Sequence, residues 1–440
     1  MKQLSGLLQR MQKELSKPLP EKAGFRPITL SMTLTETSLL LAWLASQPLY
    51  PQFYWQHRQD DEEAAVCGQA CNFNNIGEAE TFLQQHTTDN RVRIWGLNAF
   101  GQQQRDGEQI AGYLFLPRIA LLRQGNLLQV CVNLFSDTSL QDDAHQALAF
   151  MRQLAPLHAL PPLYAVIKHT QHQPDRQQWI DMLHHALEDI NAGKMEKVVP
   201  ARATTLTLDT PLRATTFMAA SRAVNHRCYH FMLAFDAHQA FLGSSPERLY
   251  LRQINQLETE ALAGTVASDR DDRRAAELAD WLMNDVKNQC ENMLVVDDIC
   301  QRLRQSALTL DVMRPEVVRL RKVQHLRRSI QVTLREASDR VCLHLLQPTA
   351  AVAGLPRVAA RQFLAQHEPF DRRWYAGSAG YLSRQQSEFC VALRSADIAE
   401  NILTLYAGAG IVAGSDPQQE WQELENKAAG LKSLLDGDMS

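Results

Sequence analysis

Glu420, Glu423 and Lys427 fall at i, i+3 and i+7 behind Ser415-Asp416-Pro417, so two carboxylates and an ammonium share one face of a helix. Asp416 and Pro417 supply an N-cap and a first-turn proline, with Gln419 placed for a capping-box contact, while Trp421, Leu424, Ala428 and Leu431 form the apolar face. Such a charged face is either a solvated ladder or, with waters, a second helix's carboxylate and a ligand carboxylate, a site for magnesium, which seldom takes an all-protein cage. Glu291, in NQCENMLVVDDI, is the other acid with that potential. It lies beside Leu294 and Val295, although an amphipathic helix with a boundary glutamate reads the same way.

Three further groups could move protons or hold an anion. Lys197 opens the apolar run KVVPARA, where an ammonium is either at a solvated strand end or wanted inside a cavity. Glu247, in FLGSSPERL, follows an apolar strand and a serine-proline turn; screened from water, its carboxyl would hold its proton and serve as a general acid, and exposed it would be a surface turn. Arg394, in FCVALRSA, shares a strand face with Cys390 and Ala392, leaving room for a bidentate carboxylate or for a structural ion pair. The glycines of LYAGAGIVAGSDP suggest a dinucleotide fingerprint, but no second parallel strand follows the helix, so close backbone approach to a small anion is the better reading.

These groups need a scaffold. From Phe53 to Phe135 short apolar runs separated by polar breaks, with a hairpin turn at Gln124-Gly125-Asn126, predict a strand-rich half. LAPLHALPPLYAVIKHTQHQPD reads as a surface connection, and Asp175 starts a helix striped by Trp179, Met182, Leu183, Ala186, Leu187 and Ile190. A boundary near residue 170 follows, with 1–170 packed into the same globule as a catalytic region 171–440. Beyond it the runs KVVPARATTL, CYHFMLAF, AFLGSSPERLYL, VCLHLLQP, EFCVALRSADI and ILTLYAGAG predict strands, interrupted by helices over about 270–305 and 417–435. The first of these helices is expected to bury Leu278, Leu282, Val286, Met293, Val296 and Cys300. Large antiparallel sheets surrounded by a few long helices make the fold class α+β.

Forty-five basic against 49 acidic residues give no field for nucleic acid or an anionic membrane, and the basic run VVRLRKVQHLRR is read as a solvated strand or helix face. Leu4, Leu7, Leu8, Met11 and Leu15 lie at helical spacing, not as the apolar core of a leader, and no membrane span is visible. Eight sparse cysteines are too few for a disulfide scaffold and lack the second pair of a zinc site, so a cytoplasmic protein with reduced thiols is expected.

KVVPARA, FLGSSPERL, TEALAGT, NQCENMLVVDDI, LHLLQPTAAVAGLPR, WYAGSAGY, FCVALRSA, YAGAGIVAGSDP and EWQELENKAAG resemble, in order and spacing, the chorismate-utilising enzymes. LAWLASQPLYPQFYWQHR and RIWGLNAF extend the resemblance into the N-terminal half, towards the isochorismate synthases of the menaquinone pathway. The resemblance implies antiparallel sheets around a magnesium-dependent site. It makes Lys197 the base that activates water for attack at C2 of chorismate and Glu247 the acid that protonates the departing C4 hydroxyl. Glu291 and Glu423 become magnesium ligands with Glu420 in the surrounding shell, Arg394 and Lys427 lie near the substrate carboxylates, and Gly264, Thr265, His344, Tyr375, Tyr406 and Gly408 line the pocket.

Relatives that use ammonia carry glutamine where this chain has Lys197, and aminodeoxychorismate-forming relatives carry PIKGT where Ala263 stands in LAGT. The resemblance therefore implies isochorismate, or salicylate if pyruvate is also eliminated, with no glutamine amidotransferase subunit. Pro200 departs from the family's KVVLAR. Because proline lacks an N–H, an edge strand, a bulge or a carbonyl-only position is expected there, and a misplaced Lys197 would leave a catalytically weakened chorismate-binding protein.

Overall fold

The computed structural model of the protein describes residues 2–34, 40–101 and 110–435. Every strand pairing in it is antiparallel. In pairing order, one run of the sheet is Gly24–Thr33, Leu127–Ser136, Gly112–Gln124, Glu62–Phe73, Gln52–Gln56, Tyr229–Ala234, Gln239–Ser245, Ser395–Ala399, Ile402–Gly408, Ala201–Leu208 and Ile167–Gln173. A second run leaves the long strand Gly112–Gln124 through Ile94–Asn98 and continues to Ser378–Leu382, Gln386–Val391, Arg248–Gln253, Gln256–Ala267 and Val323–Leu334. Strands from before and after residue 170 thus alternate within the same sheets, as where Gln52–Gln56 pairs with Tyr229–Ala234.

Period-2 alternation assigns the two faces of the first run to different cores. Phe53, Trp55 and Phe231 point into a core that also holds Tyr250, Tyr381 and Phe389 of the second run. Tyr54 and Met232 point the other way, into a core closed by the helices Lys2–Leu15, Leu40–Ser46, Leu140–Met151 and Ala214–Val224. Leu4, Leu7, Met11 and Leu15 are the buried stripe of the first of these, as their spacing predicts. The helix Arg176–Asn191 begins in a capping box between Asp175 and Gln178 and buries Trp179, Met182, Leu183, Ala186 and Ile190.

Four local expectations are corrected. The helical stretch 270–305 is two helices, Asp272–Asn284 and Val286–Leu303, because extended Asp285 ends the first and caps the second by accepting from the Asn288 N–H. That break resets the helical phase. Val286 and Met293, both expected to be buried, are 75% and 39% exposed, and Asn292 is buried instead, its amide donating to the carbonyls of Ala261, Ala263 and Leu326. VCLHLLQP, expected as a strand, belongs to the helix Asp339–Leu346, started by Ser338, whose hydroxyl accepts from Val341. The surface connection includes a strand, Ile167–Gln173, paired with Ala201–Leu208. The basic run folds into Glu316–Arg319 and Val323–Leu334, where residues 323–326 are buried and not a solvated face.

Among the described residues no helix is long and apolar enough to cross a membrane.

Candidate active site

A cavity opens where the sheets meet the helices Val286–Leu303 and Pro417–Lys432; Glu247, Glu291, Arg394, Glu423 and Lys427 contribute its charged lining. Lys197 reaches it from the short strand Lys197–Val198, which pairs with Gly354–Leu355 and bridges to Ile411. The lysine is 1% exposed, and its Nζ donates to Glu291 Oε1 at 2.9 Å. Gly410 closes over this ion pair: a Cβ there would lie 2.6 Å from Glu291 Oε1 and 3.0 Å from Lys197 Cε. The glycine segment before the last helix therefore makes its close approach to these side chains.

Glu247 sits between the strands Gln239–Ser245 and Arg248–Gln253 and is 2% exposed. Its Oε1 has no hydrogen-bond partner among the described residues. Burial pushes this carboxyl up to about 8, helped by the charge of Glu260 and opposed by Lys197, Lys427 and Arg394. At neutral pH Glu247 holds its proton, which is what a general acid requires.

Arg394 does not use the strand face expected for it. The strand Gln386–Val391 stops short, and Arg394 adopts φ +48°, a left-handed conformation uncommon for a side chain of its size. Its Nη2 donates to His325 Nε2 at 2.9 Å, so the ring proton is on Nδ1, which faces Thr265 Oγ1 at 3.0 Å. Burial, then the charges of Arg394 and Lys427, push His325 well below the usual imidazole range and keep it neutral. Thr265 is presented by a bulge: the register against Val323–Leu334 shifts between Leu262 and Thr265, and Gly264 takes φ +85°.

Opposite, Tyr375 and Tyr406 stack at 5.1 Å, Tyr406 hydroxyl donating to Asp397, and Gly408 leaves room for the Tyr375 hydroxyl. Burial pushes Tyr375 up to about 12, which keeps it a neutral donor. Lys427 Nζ donates to the Gly408 carbonyl at 2.9 Å and pairs with Glu423 at 2.6 Å.

Among the described residues no three acidic, histidine or cysteine side chains already converge as a metal cage. The donor chemistry nevertheless fits a hard cation: Glu420 is pushed up to about 7 by burial and then by the charge of neighbouring Glu423, even with Lys287 3.7 Å from Glu420 and Lys427 on Glu423. Asp416 caps their helix through the Gln418 and Gln419 N–H groups.

Ten of the residues singled out in the sequence line this one cavity, namely Glu247, Gly264, Thr265, Glu291, Tyr375, Arg394, Tyr406, Gly408, Glu423 and Lys427, and Lys197 bonds to its wall. His344 does not. On the helix Asp339–Leu346 it is exposed, because Cys342, Leu343 and Leu346 take the inward face, and its carbonyl accepts from Arg357. The histidine in the cavity is His325, placed by a strand register that pairs it with Thr265 across 60 residues of sequence. Nothing in the local sequence announces that register.

A family model for chorismate binding enzymes matches residues 20–436. The chain belongs to this family. Isochorismate synthase MenF of Escherichia coli (strain K12) is 54% identical over 435 residues, 99% of each chain, and its counterpart from Haemophilus influenzae is 40% identical over 90% of this chain and 89% of that one. The solved structure of the Escherichia coli enzyme, a menaquinone-specific isochorismate synthase, superposes with a TM-score of 0.94 over 98% of this chain and 99% of that chain. Anthranilate synthase component I of Streptococcus pneumoniae, 19% identical, shares the fold, with a TM-score of 0.67 over 94% of this chain and 93% of that one.

Proposed function

We propose that this chain is an isochorismate synthase, adding water at C2 of chorismate with loss of the C4 hydroxyl, and that it serves menaquinone biosynthesis in the cytoplasm. The observation that carries the reading is a buried lysine and a protonated acid brought to one cavity: Lys197, whose Nζ donates to Glu291 in the cavity wall, and Glu247, buried with an unpartnered oxygen and pushed up to about 8. Lys197, entering the step as the neutral amine with one N–H still donated to Glu291, takes a proton from the attacking water while Glu247 gives one to the leaving hydroxyl. One C–O bond forms at C2 and one breaks at C4, while both ring double bonds shift, C1=C2 to C6=C1 and C5=C6 to C4=C5. Each turnover leaves the lysine with one proton more and the glutamate with one fewer, and exchange with solvent resets both.

Arg394, held from behind by His325, and Lys427 are the cations available for the substrate carboxylates. Glu291 and Glu423, with Glu420 beside them, would hold magnesium, which when bound orients a substrate carboxylate and offsets its charge. Ala263 lines the cavity where aminodeoxychorismate-forming relatives carry lysine, so no second nucleophile competes with water. Water as nucleophile requires no amidotransferase subunit.

Incubating the purified protein with chorismate and magnesium, then identifying every product by chromatography and mass spectrometry, tests the reading. Isochorismate without salicylate is expected. Salicylate with pyruvate would make the chain a salicylate synthase, and chorismate binding without turnover would make it a binding protein.

A further inference from the structure

We infer that Arg58 and Glu260, neither of which lines the cavity, position the general acid by clamping the backbone on both sides of Glu247. Arg58 Nη1 donates to the Pro246 carbonyl at 3.0 Å. The same guanidinium grips Glu260 with both arms, at 2.7 and 2.9 Å, and Glu260 Oε1 accepts from the Arg248 N–H at 2.8 Å. One ion pair thereby bonds to the carbonyl before Glu247 and to the amide after it. The Glu247 carbonyl accepts from Val391 at 3.0 Å, which gives the segment a third fixed point.

This clamp matters because the Glu247 carboxyl has so little else to aim it. Its Oε1 makes no hydrogen bond among the described residues, so its direction follows from the backbone that carries it. The clamp is itself rigid: Glu260 is 2% exposed, Arg58 lies over the Tyr229 ring at 5.2 Å, and Arg327 stands 3.8 Å from Glu260. Pro246 lines both the reacting cavity and a second, polar cavity on whose wall Arg58 lies, so the acid sits in a thin partition braced from behind.

The clamp also carries charge. Of the ionic groups that act most strongly on Glu247, Glu260 is the anion and Lys197, Lys427 and Arg394 are the cations, with Glu291 and Glu423 also on the cavity wall. Glu260 favours the proton on Glu247, whereas the three cations disfavour it. Arg58 moderates the Glu260 charge, so it acts on the acid through its partner.

The inference rests on the proposed isochorismate synthase activity, and the pH dependence of kcat tests it. Since the acid works protonated, its ionisation sets the alkaline limb. Glu260→Gln, which preserves shape and removes the anion, is expected to move that limb to lower pH by about half a unit or more. Arg58→Gln leaves the Glu260 charge opposed by the more distant Arg327 alone and moves the limb to higher pH, while kcat at the optimum falls several-fold because the Pro246 carbonyl loses its donor. Arg58→Lys, which keeps the cation without the two-armed grip, returns the limb to its original position but not kcat. KM for chorismate stays within about twofold throughout, because neither residue touches substrate. If Arg58→Gln fails to fold, the displaced limb in Glu260→Gln and its restored position in Arg58→Lys decide the matter. An unmoved alkaline limb in Glu260→Gln, with kcat and melting temperature merely lowered, would overturn the inference alone. A natural chain that makes no isochorismate would overturn the activity reading instead.

Discussion

Lys197 and Glu247 are hidden from solvent to the same degree, at 1% and 2% exposure, yet only the lysine has an ionic partner. The lysine wall is organised by bonds between side chains: Glu291 holds Lys197, and Gly410 lets the chain close over both. The glutamate wall is organised through its backbone, with the carboxyl left to burial. An opposite charge favours the charged form of the buried lysine, whereas a buried carboxyl denied such a partner keeps its proton. Substitutions should therefore act differently on the two sides.

The largest effect is expected at the carboxylates near the lysine wall. Chelating magnesium should abolish turnover, and Glu291→Gln or Glu423→Gln should weaken magnesium binding measured by calorimetry, because hard cations prefer anionic oxygens. Full activity in excess chelator would take the metal out of the chemistry and leave Glu291 as the lysine's partner alone. Next in size, Lys197→Ala and Glu247→Ala should each lower kcat by about a hundredfold or more while chorismate binding stays measurable. Near-normal turnover in either variant would reduce that wall to a structural one.

A third prediction separates activity from stability. Glu247 has its folded pKa raised from 4.5 to about 8, so the folded state holds a proton that the unfolded state has released. Stability on this account is greatest below pH 4.5 and is lost as pH rises towards 8. Glu247→Gln removes that loss. It should inactivate the enzyme yet stabilise it by roughly 2–4 kcal/mol at pH 7, with the gain vanishing near pH 4. Equal melting temperatures for the two proteins at both pH values would show that the carboxyl is not held neutral by burial.

What was readable in the sequence divides along the same line. Groups carried by well-signalled local elements, such as Glu423 and Lys427 behind the Asp416-Pro417 cap, fall where their helical spacing puts them. Groups whose position depends on tertiary register do not announce themselves. His325 enters the cavity only because a bulge at Gly264 turns the neighbouring strand, and Arg394 only because its backbone adopts a left-handed turn. His344 was misplaced because VCLHLLQP has the apolar density of a strand, whereas the Ser338 cap and the inward Cys342, Leu343 and Leu346 make it a helix. The Arg58–Glu260 clamp joins residues 202 apart in sequence and carries no local signature at all.

The smallest effect is expected at Pro200, where the chain departs from the family's KVVLAR. The pairs Val198↔Ile411 and Ala201↔Gly408 share one register, which places residue 200 opposite Ala409 in the gap between the strands Lys197–Val198 and Ala201–Leu208, at the expected carbonyl-only position and not at an edge or bulge. The Ala409 N–H donates to the Pro200 carbonyl at 3.1 Å, but the reciprocal bond is impossible, because proline has no N–H to return. The neighbours are fully engaged: the Val199 carbonyl accepts from Arg372 at 2.6 Å and the Ala201 N–H donates to Glu368 at 2.9 Å. Lys197 is therefore held by Gly354–Leu355 on one side and by the Val198–Ile411 bridge on the other, independently of residue 200. Pro200→Leu would restore a ladder bond worth about 1 kcal/mol and would return unfolded-state freedom that costs about 0.4–1 kcal/mol. The two nearly cancel, so stability should move by less than about 1 kcal/mol and kcat should stay within a few-fold. A gain in kcat of more than about a hundredfold would mean that proline pulls Lys197 off its aim and that the natural chain is a weakened catalyst.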